Sequence, residues 1–171
     1  AEDMKTDYQA GKSYKVKVVN GQGKALANQT VKININGVIY NRVTDENGTA
    51  YLAIRLNPGT YICTSSWNDS FVSTKVVVNK LTASISVLTP TVKKGDYYKV
   101  KITDKKSSKP IVNQLVLFIY NGTAYGSYSD NEGIAKIKIG LPAGSYQLIT
   151  GIQSSYWYQN IAVYNTLKVT A

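Results

Sequence analysis

Enzymatic chemistry needs a nucleophile beside a base, a converging pair of carboxylates, or a set of metal ligands. The chain has no histidine and a single cysteine, Cys63. Ser-His and Cys-His nucleophiles and most zinc arrangements are therefore excluded, and no disulfide can close within the chain. Cys63 alternates in phase with Tyr61, which reads as a small core residue without a base. The carboxylates fall mostly in the first residues and in turns. Asp45 with Asn47, and Asp130 with Glu132, suggest a calcium loop, but calcium takes roughly six to eight oxygens and each turn offers only two or three side chains. They read as structural turns, so no catalytic residue, metal or cofactor is assigned.

Recognition is the chemistry that remains. Fourteen tyrosines supply rings with a polar tip, and twenty Lys and Arg against ten Asp and Glu give a net charge of +10. The excess is uneven, with nine basic and six acidic residues in 1–79 and eleven and four in 80–171. Only Arg42 and Arg55 carry guanidinium, and no RRM, KH or OB signature interleaves aromatic with basic residues, so a nucleic-acid partner is not expected. No apolar run is long enough to span a bilayer. Four N-x-S/T sequons, at Asn28, Asn47, Asn68 and Asn121, are about what the Asn, Ser and Thr content gives by chance.

The residues that could recognise something must be held by a repeated scaffold. The stretch TDENGTAYLAIRLNPGTY, Thr44 to Tyr61, returns as SDNEGIAKIKIGLPAGSY, Ser129 to Tyr146. Each copy is a polar turn closed by Gly48 or Gly133, a strand of alternating side chains, and a corner ending in tyrosine. The repeat divides the chain into two domains, 1–79 and 80–171. GKSYKVKVV and GDYYKVKIT alternate cleanly, with Tyr14, Val16 and Val18, or Tyr98, Val100 and Ile102, inward and lysines outward. Val31, Ile33 and Ile35 match Val116, Phe118 and Tyr120 at a register of 85, which is carried to the end of the chain. Ala1 to Ala10 and Ile85 to Lys94 read as irregular edge strands, and the last strands as Phe71 to Val78 and Tyr156 to Val163. Lys80 to Ser84 joins the copies with almost no linker, predicting a rigid end-to-end pair.

About seven short strands per copy, with turns every 8 to 12 residues, predict an all-β chain of two tandem immunoglobulin-like β-sandwich domains; a prealbumin-like sandwich has similar patterns. The corners Leu56 to Tyr61 and Leu141 to Tyr146 match a tyrosine corner, in which the hydroxyl ties the corner to upstream backbone. With these residues in view, the chain resembles the bacterial Ig-like domains of invasin and intimin, whose repeats carry TDxNGxA-type turns and GTY-type corners. NGVIYNRVTDENGTAYLAIRLNPGTY is similar to repeats of the adhesin-like surface proteins of methanogenic archaea. The resemblance implies an extracellular, non-enzymatic cell-surface array of Ig-like repeats, some spacers and some binding other cells or wall glycans; the matching residues are structural and transfer no ligand site. Such sandwiches sometimes close a Lys-Asn isopeptide bond, but every lysine that can be phased here points outward.

Binding residues are sought where the copies differ on their outward faces. In one sheet the second copy gathers Lys99, Lys101, Lys136 and Lys138 where the first has Lys15, Lys17, Tyr51 and Ala53. This is either an anionic-polymer patch or a solvated face guarded against edge pairing. In the other sheet Leu117, Ile119, Ile149, Tyr156 and Tyr158 are expected to point outward, where the first copy has Lys32, Asn34, Thr64, Phe71 and Ser73, and Trp157 takes the core place of Val72. An apolar aromatic outer face is a partner or glycan platform, or a contact with a neighbouring domain. Three readings follow: an adhesin fragment, a stalk spacer without ligand, and a polyanion binder.

Overall fold

The computed structural model describes residues 1–171, which divide into two compact units, Ala1–Lys80 and Leu81–Ala171. Both are all-β. The first contains β1 (Met4–Asp7), β2 (Ser13–Lys17), β3 (Thr30–Ile35), β4 (Val38–Val43), β5 (Thr49–Ala53), β6 (Gly59–Trp67) and β7 (Ser70–Asn79). One sheet runs β1-β7-β6-β3-β4 and the other is the pair β2-β5. Strict alternation makes β2, β3 and β5 two-sided: in β3, Val31, Ile33 and Ile35 are buried while Thr30, Lys32 and Asn34 are exposed. The buried rows of both sheets meet in one core that includes Tyr14, Val16, Leu52, Ile33, Cys63 and Val76.

The second unit contains β8 (Ala83–Val87), β9 (Thr91–Lys93), β10 (Tyr97–Asp104), β11 (Leu115–Tyr120), β12 (Thr123–Tyr128), β13 (Ile134–Lys138), β14 (Gly144–Ile152) and β15 (Ile161–Thr170). Its sheets are β12-β11-β14-β15-β9 and β13-β10-β8. In both units the short strand β1 or β9 runs parallel to the last strand, and the other ladders are antiparallel. Two facing sheets of short strands with this order are an immunoglobulin-like sandwich.

The repeated motif does the same local work twice. Asp45 Oδ1 accepts the N–H groups of Asn47 and Thr49, and Asp130 Oδ1 those of Glu132 and Ile134. These carboxylates are spent on turn backbone, and no group of three His, Cys, Asp or Glu side chains converges anywhere in the chain. At the corners, Tyr61 donates to Asn57 O and Tyr146 to Pro142 O, each at 2.9 Å.

Two sequence expectations are corrected here. The edge strand read over Ile85 to Lys94 is broken at Pro90 into β8, paired with β10, and β9, paired with β15, so the chain passes from one sheet to the other. The register of 85 holds only through β14. Two residues separate β6 from β7, but eight, 153–160, separate β14 from β15, so the last strands match at 91. The last strand is thus Ile161–Thr170 and not Tyr156 to Val163. A buried hydrogen bond marks the correct register: Tyr14 Oη meets Thr74 Oγ1 at 2.6 Å, and Tyr98 Oη donates to Asn165 Oδ1 at 3.1 Å.

Candidate functional site

The five-stranded sheet of the second unit presents an outer face built from the residues between its buried rows. In β11, Val116 and Phe118 are buried, which turns Leu117 and Ile119 outward. Pairing then fixes their neighbours. Ile119 lies between Ala124 and Ile149, and Ile149 lies beside Tyr164; Leu117 lies between Gly126 and Gly151, and Gly151 beside Ala162. Leu115 is opposite Tyr128 at one end. Tyr164 is 77% and Tyr128 63% exposed.

The result is an apolar strip interleaved with small residues and with tyrosines near its margins. At Gly151 space as well as pattern requires glycine, because a Cβ there would lie 2.7 Å from Ile161 O; a Cβ on Gly126 would meet only the Leu115 side chain, at 3.1 Å. The same face of the first unit carries Lys32 opposite Asn41, Asn34 opposite Ile39, and Thr64 bonded to Ser73 at 3.0 Å. That face of the first unit also exposes Ile39, Val43, Ile62 and Phe71, but each of these stands opposite a polar residue, whereas in the second unit Leu117, Ile119 and Ile149 adjoin one another or small residues.

Of the residues anticipated for this face, Leu117, Ile119 and Ile149 are brought together and Tyr156 and Tyr158 are not. Tyr156, Trp157 and Tyr158 lie in the loop 153–160, because the loop is six residues longer than its counterpart and its alternating aromatics imitate a strand. Tyr156 is exposed and packs edge-on against Trp157 with ring centroids 4.4 Å apart. Trp157 does not take the place of Val72: at the corrected register that position belongs to Val163, and it is no core position, since Val72 is itself 37% exposed. Tyr158 is turned inward against the core, and the loop backbone is tied to Leu81 by Leu81 N–H to Trp157 O at 2.7 Å and Gln159 N–H to Leu81 O at 3.0 Å. Burial, with the Asp104 charge adding to it, pushes the Tyr158 phenol up. Tyr164 is the residue sequence reasoning missed. The signal was present in Leu167 and Val169, which alternate in phase with the half-buried, inward Asn165 and match Val76 and Val78.

On the other sheet, Lys99 and Lys136 stand directly opposite, Lys101 is opposite Ile134, and Lys138 is opposite Tyr97. All four lysines are therefore on one face, and Lys136 Nζ sits 5.1 Å from the Tyr97 ring centroid. Like charges directly across a ladder repel, so this face favours a counter-anion.

The buried reactive groups are chemically quiet. Burial pushes the Cys63 thiol up, against the lowering effect of hydrogen bonds with Tyr14 and Ser65, so it remains a thiol. Burial also raises the phenols of Tyr14 and Tyr98. Tyr120, stacked on Tyr125 with centroids 4.9 Å apart, is pushed up to about 12 by its hydrogen bond with Tyr125. Asp104 goes the other way: burial opposes its charge, but hydrogen bonds from the Ser107 backbone and hydroxyl and the Lys106 backbone hold its carboxyl below the usual range. That arrangement closes a turn.

The fold defines a chain of two tandem immunoglobulin-like sandwiches. No protein-family model and no curated sequence matches the chain. Among solved structures it is similar to the Yersinia pseudotuberculosis adhesin InvE (12% identity over 96% of this chain and 56% of that one, TM-score 0.42). It is also similar to the I9-I11 tandem of titin (16%, 99% and 63%, 0.42) and to the Clostridium thermocellum CbhA fibronectin(III)-like modules (13%, 99% and 90%, 0.38). The chain spans 43% of the N-terminal four-Ig fragment of Dscam1 that it also matches. No helix is long and apolar enough to cross a membrane.

Proposed function

We propose that this chain is a non-enzymatic segment of an adhesin-like cell-surface protein, and that its second unit attaches to other cells or wall glycans through the outer face of β12-β11-β14-β15. The observation that carries the reading is the contrast between copies. Inward residues are apolar in both, as folding demands, while the outward row Leu117, Ile119, Ile149 and Tyr164 replaces Lys32, Asn34, Thr64 and Ser73. The first unit sets its exposed Ile39, Val43, Ile62 and Phe71 opposite polar residues, whereas the second gathers half-buried Leu117, Ile119 and Ile149 beside exposed Tyr164 into a continuous strip that suits the apolar faces of sugar rings. Trials on intact microbial cells and isolated wall polysaccharides test it: saturable retention of the chain should be lost in Ile149→Ser/Tyr164→Ser, and equal retention of this variant would defeat the reading.

A second reading is a spacer whose role is reach. It is favoured by the duplication of the same turn and corner hydrogen bonds, at matching distances, in both units. It predicts no saturable retention on any surface.

A further inference from the structure

We propose that the outer edge of β4 in the first unit pairs antiparallel with the same edge of a second copy of the chain, joining two five-stranded sheets about a two-fold axis at Asn41. β4 closes one end of the sheet β1-β7-β6-β3-β4. It belongs to the first unit, whereas the contact face proposed above belongs to the second.

The backbone pattern fixes which groups face outward. The two-residue turn Asn36-Gly37, with φ of 53° and 77°, closes on the pair Ile35 and Val38, and past the other end of β4 the Thr44 N–H donates to Gln29 O at 2.9 Å. Val38, Tyr40 and Arg42 therefore bond toward β3, while Ile39, Asn41 and Val43 turn their N–H and C=O groups to the open side. The Asn41 carbonyl accepts from the Arg42 guanidinium at 2.8 Å and keeps a second lone pair for a ladder bond.

The side chains along this edge favour pairing. Ile39 is 62% and Val43 59% exposed, and β-branched residues suit a paired strand. Outer strands are commonly guarded by lysine, proline or shortness, and β4 has six residues with neither Lys nor Pro. The other outer strands of the two five-stranded sheets are guarded. β1 carries Lys5, and β9 has three residues and ends in Lys93. β12 has Gly126 at the position of Asn41, and its Ser127 Oγ accepts from Lys136 N–H at 3.4 Å.

The occupant is set by self-complementarity. About an axis at Asn41, Ile39 stands opposite Val43 of the second copy and Val43 opposite its Ile39, pairs that exchange N–H···O bonds in both directions. Between them Arg42 faces Tyr40 of the second copy. This repeats across the axis the contact Arg42 makes in its own chain, where the guanidinium carbon lies 5.5 Å from the Tyr40 ring centroid. Arg42 is the one charged residue of β4, so no like charges stand opposite each other in the ladder. A shift of two residues either way sets Ile39 or Val43 against Asn41 and loses a pair. An edge of this length buries less than about 1,200 Å² in total, so the association is weak and reversible.

Sedimentation velocity and amide hydrogen exchange of the full chain, from about 10 µM to about 1 mM, test the pairing. Dimer should grow across this range, and protection of the Ile39, Asn41 and Val43 amides should rise about fivefold or more with it. Asn41→Pro removes only an N–H on the open side and should abolish the dimer, whereas Asn41→Ala keeps it; Trp67 fluorescence in urea checks that both remain folded. Charge exchange reads the register independently. Ile39→Lys/Val43→Lys should be monomeric, and Ile39→Lys/Val43→Glu should dimerise again, because each lysine then meets a glutamate of the second copy. A chain that stays monomeric at about 1 mM overturns the proposal in favour of another protein's strand or none. A dimer that survives Asn41→Pro, or two charge variants that dimerise equally, also overturns it and assigns any association to another face.

Discussion

Four glycines separate the cost of a left-handed backbone from the cost of lost space. Gly133 and Gly122 have nearly the same φ, +77° and +75°. A Cβ at Gly122 meets nothing within 4 Å, whereas one at Gly133 would lie 2.5 Å from Ile102 O and 3.2 Å from Pro110 Cβ. Alanine at Gly122 therefore costs the conformational term alone, about 1–2 kcal/mol. At Gly133 the backbone of Ile102 must move by roughly 1 Å to reach ordinary contact, adding an overpacking term of about 1–3 kcal/mol. The shift strains the hydrogen bond from Ile102 N–H to Gly133 O, for a total of about 3–5 kcal/mol, a large part of a small domain's stability. The first unit repeats the comparison, with Gly37 in open space and a Cβ on Gly48 falling 2.7 Å from Val18 O. Urea unfolding followed by tryptophan fluorescence reads both, since Trp67 reports the first unit and Trp157 the second. The Gly133→Ala midpoint should fall below that of Gly122→Ala by roughly 1–2 M. Equal midpoints for the two alanines would refute the claim that close backbone packing fixes this turn.

Three further outcomes follow from the buried polar groups. Tyr14→Phe removes the 2.6 Å bond to Thr74 inside the core and should cost the first unit about 1–2 kcal/mol in urea unfolding, while leaving the second unit's midpoint unchanged. Asp104 has a lowered carboxyl pKa in the folded state, so its stabilisation is present above the usual carboxylate range and is lost as pH falls through the folded value. The midpoint gap between the wild type and Asp104→Asn should accordingly be open at neutral pH and close below about pH 4; a gap that persists at low pH contradicts the turn-closing role. In alkaline absorbance titration Tyr120 should belong to the late-ionising phenols, near 12, and the difference between wild type and Tyr125→Phe should show it moving back toward the ordinary tyrosine value, because the Tyr125 partner is what raises it.

The sequence made legible those features whose physics is local. The Asp-to-Gly turns, the tyrosine corners and the period-two rows of β2, β3, β10 and β11 depend on residues within a few positions of one another, and each is found where its motif places it. The neighbouring of β2 with β5, and of β10 with β13, followed from the sandwich order and brought Lys99, Lys101, Lys136 and Lys138 to one face. What was hidden was the spacing between motifs. Tyr156, Trp157 and Tyr158 alternate as a strand does, and only the burial of Leu167 and Val169 and the Tyr98 to Asn165 bond show that the strand begins later. The passage of the chain across Pro90, from β8 in one sheet to β9 in the other, depends on long-range pairing that local pattern does not encode.

The contact face proposed for the second unit is tested most directly by methyl NMR of the full chain, titrated with soluble oligosaccharides released from a wall that retains it. The expected shifts are at Leu117, Ile119 and Ile149, saturating together, unchanged by added salt and absent from the Val31, Ile33 and Ile35 methyls of the first unit. Shifts confined to residues around Lys99 and Lys136 and abolished by salt would contradict the account and assign binding to the basic face instead.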